Sequence, residues 1–337
     1  MALKSRFYRQ KGRVTMDENE LMGSMKVSKA VAKMAIPSVI SSLVTVVYNM
    51  ADTFFVGQTG DPLQVAAVSQ TNPIFILFMA FANMFGMGGS AAVSMALGEK
   101  KEKRVKQVSS FITYASLIVG IVFAVILLVG MQPVLQLFGA DADTYELAKG
   151  YTTYISYGAP FIIWSAAASF VVRADGASRE AMTGSMIGTV ANIILDPIFI
   201  SGFGMGAAGA AIATTIGNIM ASVYYLWYFC RKSRNMSMAF RYFKCGDRIL
   251  SQVCSAGLPT AIFSALMSIS TIILNQILVA YGNTPVAAIG IVFKANMFIT
   301  FLQMGLANGV QPLLGYSYGA GNRERFIAVE RYTKKCC

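Results

Sequence analysis

Histidine is absent from this chain of 337 residues. Imidazole metal sites and imidazole proton relays are therefore excluded. Charge is also scarce. Charged residues make up 13% of the chain, about half of what an average soluble domain carries. Acids are the rarer sign, 16 against 28 Lys and Arg. Cysteine is infrequent too. Apart from the adjacent terminal two, no pair among Cys230, Cys245, Cys254, Cys336 and Cys337 has metal-ligand spacing. These shortages argue against a soluble all-α core protein, which would need more charge to cover its surface.

What the chain has instead is long apolar blocks. Eight of them, about 35–57, 65–87, 108–131, 151–172, 183–203, 207–229, 252–280 and 285–313, have the length needed to cross a bilayer core. The expected fold is an all-α integral membrane protein. The net charge of +12 is distributed unlike that of a nucleic-acid binder, and no nucleic-acid partner is expected. Lys and Arg gather in the leader (Lys4 to Lys33), in 98–107, at Arg173 and Arg179, in Arg231–Arg248, and from Arg323 to Lys335. The alternate connections at 58–64, 201–207 and 281–284 have none, and 132–150 has only Lys149. Basic loops stay in the cytoplasm, so the N-terminus is expected inside. The cysteines then fall at or near the cytoplasmic side, where thiols stay reduced. The leader is too long and polar for a cleavable signal peptide.

An internal repeat organises these blocks. The stretch from Ala35 aligns with the stretch from Gly257: Pro37 with Pro259, Gly60 with Gly282, Ala66–Ala67 with Ala287–Ala288, Gly88 with Gly309, Gly98 with Gly319. The offset holds at about 221–222 residues throughout. Parallel repeats are a transporter architecture, with binding sites near the repeat interface. The expected units are a cytoplasmic leader at 1–30, a six-helix N-lobe at 31–230, a cytoplasmic linker at 231–250, and a partial second lobe at 251–337. That second lobe would hold two helices and the start of a third. By the repeat arithmetic the chain stops roughly 115 residues before a second set of six would close.

Only two acids sit well inside the apolar blocks, Asp52 and Asp196. An Asp at the bilayer centre costs about 2.5–3.5 kcal/mol on insertion scales, so its default reading is functional. Counting rise per residue from the cytoplasmic edges puts both in the outer half of the membrane. Two carboxylates at one depth can share a proton or hold a small cation. Asn192 lies four residues before Asp196, on the same helical face. Pro197 lacks an amide N–H and frees an upstream carbonyl. Thr214 reaches similar depth from the sixth block. Carboxylate, amide, hydroxyl and carbonyl oxygens are what a hard cation such as sodium needs. Asn49, three residues before Asp52, and Lys294, the one basic residue deep in a block, are candidates for a substrate cavity. Prolines at 37, 73, 160, 259 and 312 suggest kinks.

Several motifs together resemble one family. NMADTFFVG in the first block, LGEKK after the second, NIILDPIF in the fifth and QPLLGYSYGAGN after the eighth are similar to the MATE multidrug and toxic compound extrusion family. The resemblance runs from about Met16 to the end. It implies two lobes forming a V, and export of organic cations across the cell membrane in exchange for sodium or protons, with no further cofactor. It also implies that Asp52, Asn192, Asp196 and Thr214 are the coupling residues of an N-lobe branch. A second branch uses a Glu in the seventh span, and CSAGLPTAIFSALMSISTIILNQILV has no acid.

Other readings have less support. A lipid or lipid-linked saccharide flippase would want more cavity cations than Lys294. An intramembrane aspartyl protease would want a Tyr-Asp pair, whereas Ala51 precedes Asp52 and Leu195 precedes Asp196. No enzyme activity is expected. The remaining alternative is an inactive fragment: a chain that inserts and folds its six-span lobe but gives no substantial drug efflux alone.

Overall fold

The computed structural model describes residues 20–57, 62–140, 142–244, 246, 248–279 and 283–336. Cys245, Gly60 and Gly282, named above, lie outside the described residues. The described chain is built from helices: α1 (Val27–Gly57), α2 (Pro62–Gly98), α3 (Glu102–Val129), the short α4 (Met131–Leu137), α5 (Tyr145–Ala174), α6 (Ser178–Pro197), α7 (Gly206–Trp227), α8 (Ile249–Val279), α9 (Asn283–Gly319) and α10 (Arg323–Cys336). Six of these segments are long and apolar enough to cross a membrane: Val27–Asp52, Leu63–Gly98, Glu102–Val129, Tyr145–Ala174, Ser178–Gly202 and Gly206–Lys232. They match the first six apolar blocks. The last two blocks fall on α8 and α9. The protein is a multi-pass membrane protein.

The reason for this architecture shows on α3. Ile118, Ile121, Val122, Val125, Ile126 and Val129 are all exposed, at spacings that put them along one side of the helix. Water would reject such a stripe, and lipid accepts it. The N-terminal half of α3 instead packs Val105, Val108, Phe111 and Ile112 into the main apolar cluster with α2, α5 and α8.

Helices run unbroken through Pro37, Pro73, Pro160, Pro259 and Pro312. Neighbouring helices and side chains absorb the missing donor in such settings. Pro197 differs. There α6 ends and the chain widens into a π-helical turn, Ile198–Gly202, a feature that recurs at functional sites.

The repeat is visible in space as a pseudo-twofold contact. Gly88 of α2 meets the backbone of Val253 and Gly257 on α8, leaving no room for a Cβ. The equivalent Gly309 of α9 meets Met34 and Ala35 on α1 in the same way. Gly98 and Gly319 face each other across the axis: a side chain on Gly98 would strike the Tyr316 carbonyl, and one on Gly319 the Met95 carbonyl. Small residues at these points let the backbones touch. All of these contacts lie toward the end of the bundle that carries the basic loops.

Candidate functional site

The site grows from the packing of α6 on α7. Gly188 and Gly217 bring the two backbones together; a methyl on Gly217 would come within 2.6 Å of the Gly188 carbonyl oxygen. That approach sets Asn192 beside Thr214. Asn192, Thr214 and Asp196 are all buried, Asp196 completely (0% exposed). The Asn192 amide satisfies both its ends in one orientation. Its N–H donates to Asp196 Oδ2 at 2.9 Å, and its oxygen accepts from the Thr214 amide at 2.9 Å and the Thr214 hydroxyl at 3.0 Å. The amide orientation is assigned from this network; the opposite one keeps only a 3.0 Å contact from Nδ2 to Thr214 Oγ1 and sets the amide oxygen against the carboxylate.

Asp52 enters from α1. It is half-buried. One turn earlier on α1, the Tyr48 hydroxyl lies 3.5 Å from Thr214 Oγ1. The structure thus brings Asp52, Asn192, Asp196 and Thr214 to one place in the first repeat. Tyr48 was missed in the sequence, although it stands one turn from Asp52 on the same helix.

This cluster closes one end of a cavity of about 400 Å³. Its walls include Thr45, Tyr48 and Asn49 of α1, Asn83 of α2, Ser165 of α5, Ser185, Thr189 and Asn192 of α6, and Thr214, Asn218 and Tyr225 of α7. Phe301 and Met304 of α9 lean over it from the second repeat. Asn49 lines this cavity. Lys294 falls among residues whose side chains lie outside the described set. The described lining carries no charged side chain, and Asp196 stands behind it, bonded to the lining residue Asn192. The polar lining is internally ordered. Ser165 donates to Asn218 Oδ1 at 2.9 Å, Asn218 donates to the Thr214 carbonyl at 2.8 Å, and Tyr225 donates to the Ala181 carbonyl at 2.8 Å. Among the described residues, no group of three or more His, Cys, Asp or Glu is placed to hold a metal ion.

A family model, MatE, matches residues 37–198 and 259–333. The chain belongs to the MatE family. Both halves of the internal repeat are within the match. The multidrug export protein MepA of Staphylococcus saprophyticus is 35% identical over 292 residues, covering 87% of this chain and 65% of that protein. MepA of Staphylococcus aureus is 33% identical over 294 residues, with the same coverage. This chain therefore spans a little under two-thirds of those relatives. Among solved structures, an outward-facing multidrug resistance MATE transporter of the MOP superfamily superposes with a TM-score of 0.88 at 28% identity, over 94% of this chain and 70% of that one. A MATE structure in a straight conformation gives 0.89 at 27% identity, over 95% of this chain and 71% of that one. These relatives are transporters, not enzymes, and the family needs no cofactor.

Away from the cavity, the basic end holds a second polar cluster. Asp175, which follows α5, is buried and accepts from Tyr228 (2.9 Å), Ser233 (2.7 Å) and Asn235 (3.0 Å). Burial pushes its carboxyl above the ordinary range, and the three donors oppose that. Nearby, Lys232 pairs with Glu180, which also accepts from Tyr224. The location of Asp175 at a helix end, two residues from Arg173, gave no signal of this burial in the sequence.

Proposed function

We propose that this chain carries the cation-coupling and substrate-binding lobe of a multidrug efflux antiporter. Organic cations occupy the cavity lined by Asn49, Asn83 and Asn218. Sodium or a proton occupies the site made by Asp52, Asn192, Asp196 and Thr214. The observation that carries this reading is the fully buried Asp196 carboxylate, hydrogen-bonded through Asn192 to Thr214 at the end of a cavity whose described wall is uncharged. A buried carboxylate without a fixed cation is expensive unless a proton or metal ion neutralises it. An organic cation in the cavity and an ion at the carboxylates would compete for the same negative charge, which is the coupling that antiport needs. The names of the MepA relatives support the multidrug reading. The basic-loop pattern supports a cytoplasmic N-terminus and eight spans, with α8 and α9 as the seventh and eighth.

Coupling of this kind is reciprocal. In the purified chain in nanodiscs, a fluorescent organic cation should bind more weakly as sodium or proton concentration rises, and Asp196→Asn should remove that dependence. Binding that is tight yet indifferent to both ions would refute the antiport reading.

A further inference from the structure

The basic end is held by two crossed segments, each preceding the first helix of one repeat. Residues 20–25 precede α1, the first helix of the first repeat, but dock on α10, the third helix of the second repeat. Leu21 and Met22 share an apolar cluster with Leu313 and Val329. Arg325 then grips the backbone. Its Nε donates to the Met22 carbonyl at 2.7 Å, Nη1 to the Met25 carbonyl at 2.8 Å, and Nη2 to the Leu21 carbonyl at 3.2 Å. The turn at 20–25 ends before its later carbonyls meet intrahelical donors. A guanidinium fork, with donors in fixed directions, meets them better than an ammonium would. Asn322 caps α10 through the Arg325 amide at 2.9 Å, which fixes the helix that presents the arginine.

A similar docking, a few residues earlier than the strict repeat equivalent of 20–25, is on the other side of the axis. Residues 236–243 precede α8, the first helix of the second repeat, and dock on α3, the third helix of the first. Ser109 donates to the Ser237 carbonyl at 3.1 Å and accepts from its amide at 3.1 Å; Tyr114 donates to the Met238 carbonyl at 2.9 Å. Arg104 stands about 221 residues before Arg325, at the repeat-equivalent place, and its Nη2 donates to Gln252 Oε1 on α8 at 2.9 Å. Val108 and Val329 are equivalent in the same sense, and both are fully buried, at 0% exposed. The segment called a polar linker from the sequence is thus a docked strap.

We propose that Arg325 and Arg104 are positioning residues: each latches one repeat's entry segment or first helix onto the other repeat, and together they hold the basic end shut. Alternating access requires an end that closes and reopens. The arginine contacts are directional and separate from the glycine contacts that also join the two repeats at this end, so they can be weakened without touching the packing inside either lobe. The inference rests on family membership and this geometry, not on the ion site. Failure of one leaves the other standing.

The test uses the full chain in nanodiscs with its native cysteines replaced by serine. Spin labels go on Lys29→Cys and Glu324→Cys across the basic end, with a control pair within the first lobe at Lys149→Cys and Arg231→Cys. Electron–electron resonance should show one short distance across the end. Arg325→Ala should raise a longer-distance population about tenfold, the scale of losing a charge-assisted hydrogen-bond set, with the control pair unchanged. Arg325→Lys should restore it only in part, and Arg104→Ala should act in the same direction. An unchanged distribution across the end in both alanine variants would overturn the proposal. So would a broadening of both label pairs together in every variant, because that is general loss of fold.

Discussion

Replacing Asn192 by alanine separates a coupling network from ordinary helix glue. In the wild type the Asn192 amide joins three groups: Asp196 Oδ2 at 2.9 Å, the Thr214 amide at 2.9 Å and the Thr214 hydroxyl at 3.0 Å. Alanine removes all three bonds and leaves a 0%-exposed Asp196 carboxylate without this donor. Leaving a buried polar group unpaired costs about 1–3 kcal/mol, and more for a charged one. The Thr214 amide belongs to a helix that still offers it a carbonyl, so its share is small. Interhelical side-chain bonds in membranes also average well under the soluble value, about 0.6 kcal/mol. The net expectation is about 2 kcal/mol of destabilisation. If Asn192 also orients Asp196 toward a bound cation, affinity should fall further, by about 10–100-fold as for other outer-shell partners of a ligand. The assay is thermal unfolding of the purified chain against a titration of sodium at fixed pH, and of pH at fixed sodium. Asn218→Ala is the control. It loses bonds to Ser165 and to the Thr214 carbonyl without touching Asp196, so it should lower the midpoint but keep the ion response. An Asn192→Ala chain that is destabilised yet shows the full ion-induced shift would refute the reasoning and reduce Asn192 to glue.

Three further outcomes are expected. A membrane-impermeant thiol reagent on intact cells should miss Cys245 and label a cysteine introduced at Gln58; the reverse pattern would invert the topology. Because burial raises the Asp175 carboxyl above its unfolded value, its contribution is full at pH below the unfolded pKa and is lost as pH rises through the folded one. Asp175→Asn should therefore flatten that part of the stability–pH curve, and an identical slope in the variant would contradict the assignment. Gly98→Val should destabilise the packing of α2 on α9 by about 1–3 kcal/mol, as overpacking does, read as a lower unfolding midpoint; a neutral result would mean that the two helices do not meet at Gly98.

Asp196, Asn192 and Asp52 were legible because lipid makes polarity conspicuous. A carboxylate in an apolar run stands out, and helical periodicity alone puts Asn192 on its face. The repeat was legible because glycines and prolines keep their spacing where backbones must touch, as Gly88 and Gly309 do. Tyr48, Asn83 and Asn218 were not. Each is an uncharged polar residue on a long helix, and which of them share a cavity depends on how six helices pack. The docking of 236–243 was also hidden. It lies within the expected cytoplasmic linker, and the hydroxyls of Ser109, Ser110 and Tyr114 on α3 explain where its carbonyls go. At Pro37, Pro73, Pro160, Pro259 and Pro312 the helix continues, because a packed membrane helix can satisfy the lost bond elsewhere, and Pro197 coincides with a change of helix type.

The central claim is that Asp52 and Asp196 together bind the coupling ion. The most direct measurement is the infrared difference spectrum of the purified chain in lipid, on exchange from sodium-free alkaline buffer to buffer supplying either sodium or protons. Carboxylate bands should change in the wild type for at least one of the two ions. That change should disappear in Asp52→Asn and in Asp196→Asn and persist for the same ion in Asp175→Asn. A wild-type spectrum insensitive to both ions, or bands that survive unchanged in both Asp52→Asn and Asp196→Asn, would contradict the account.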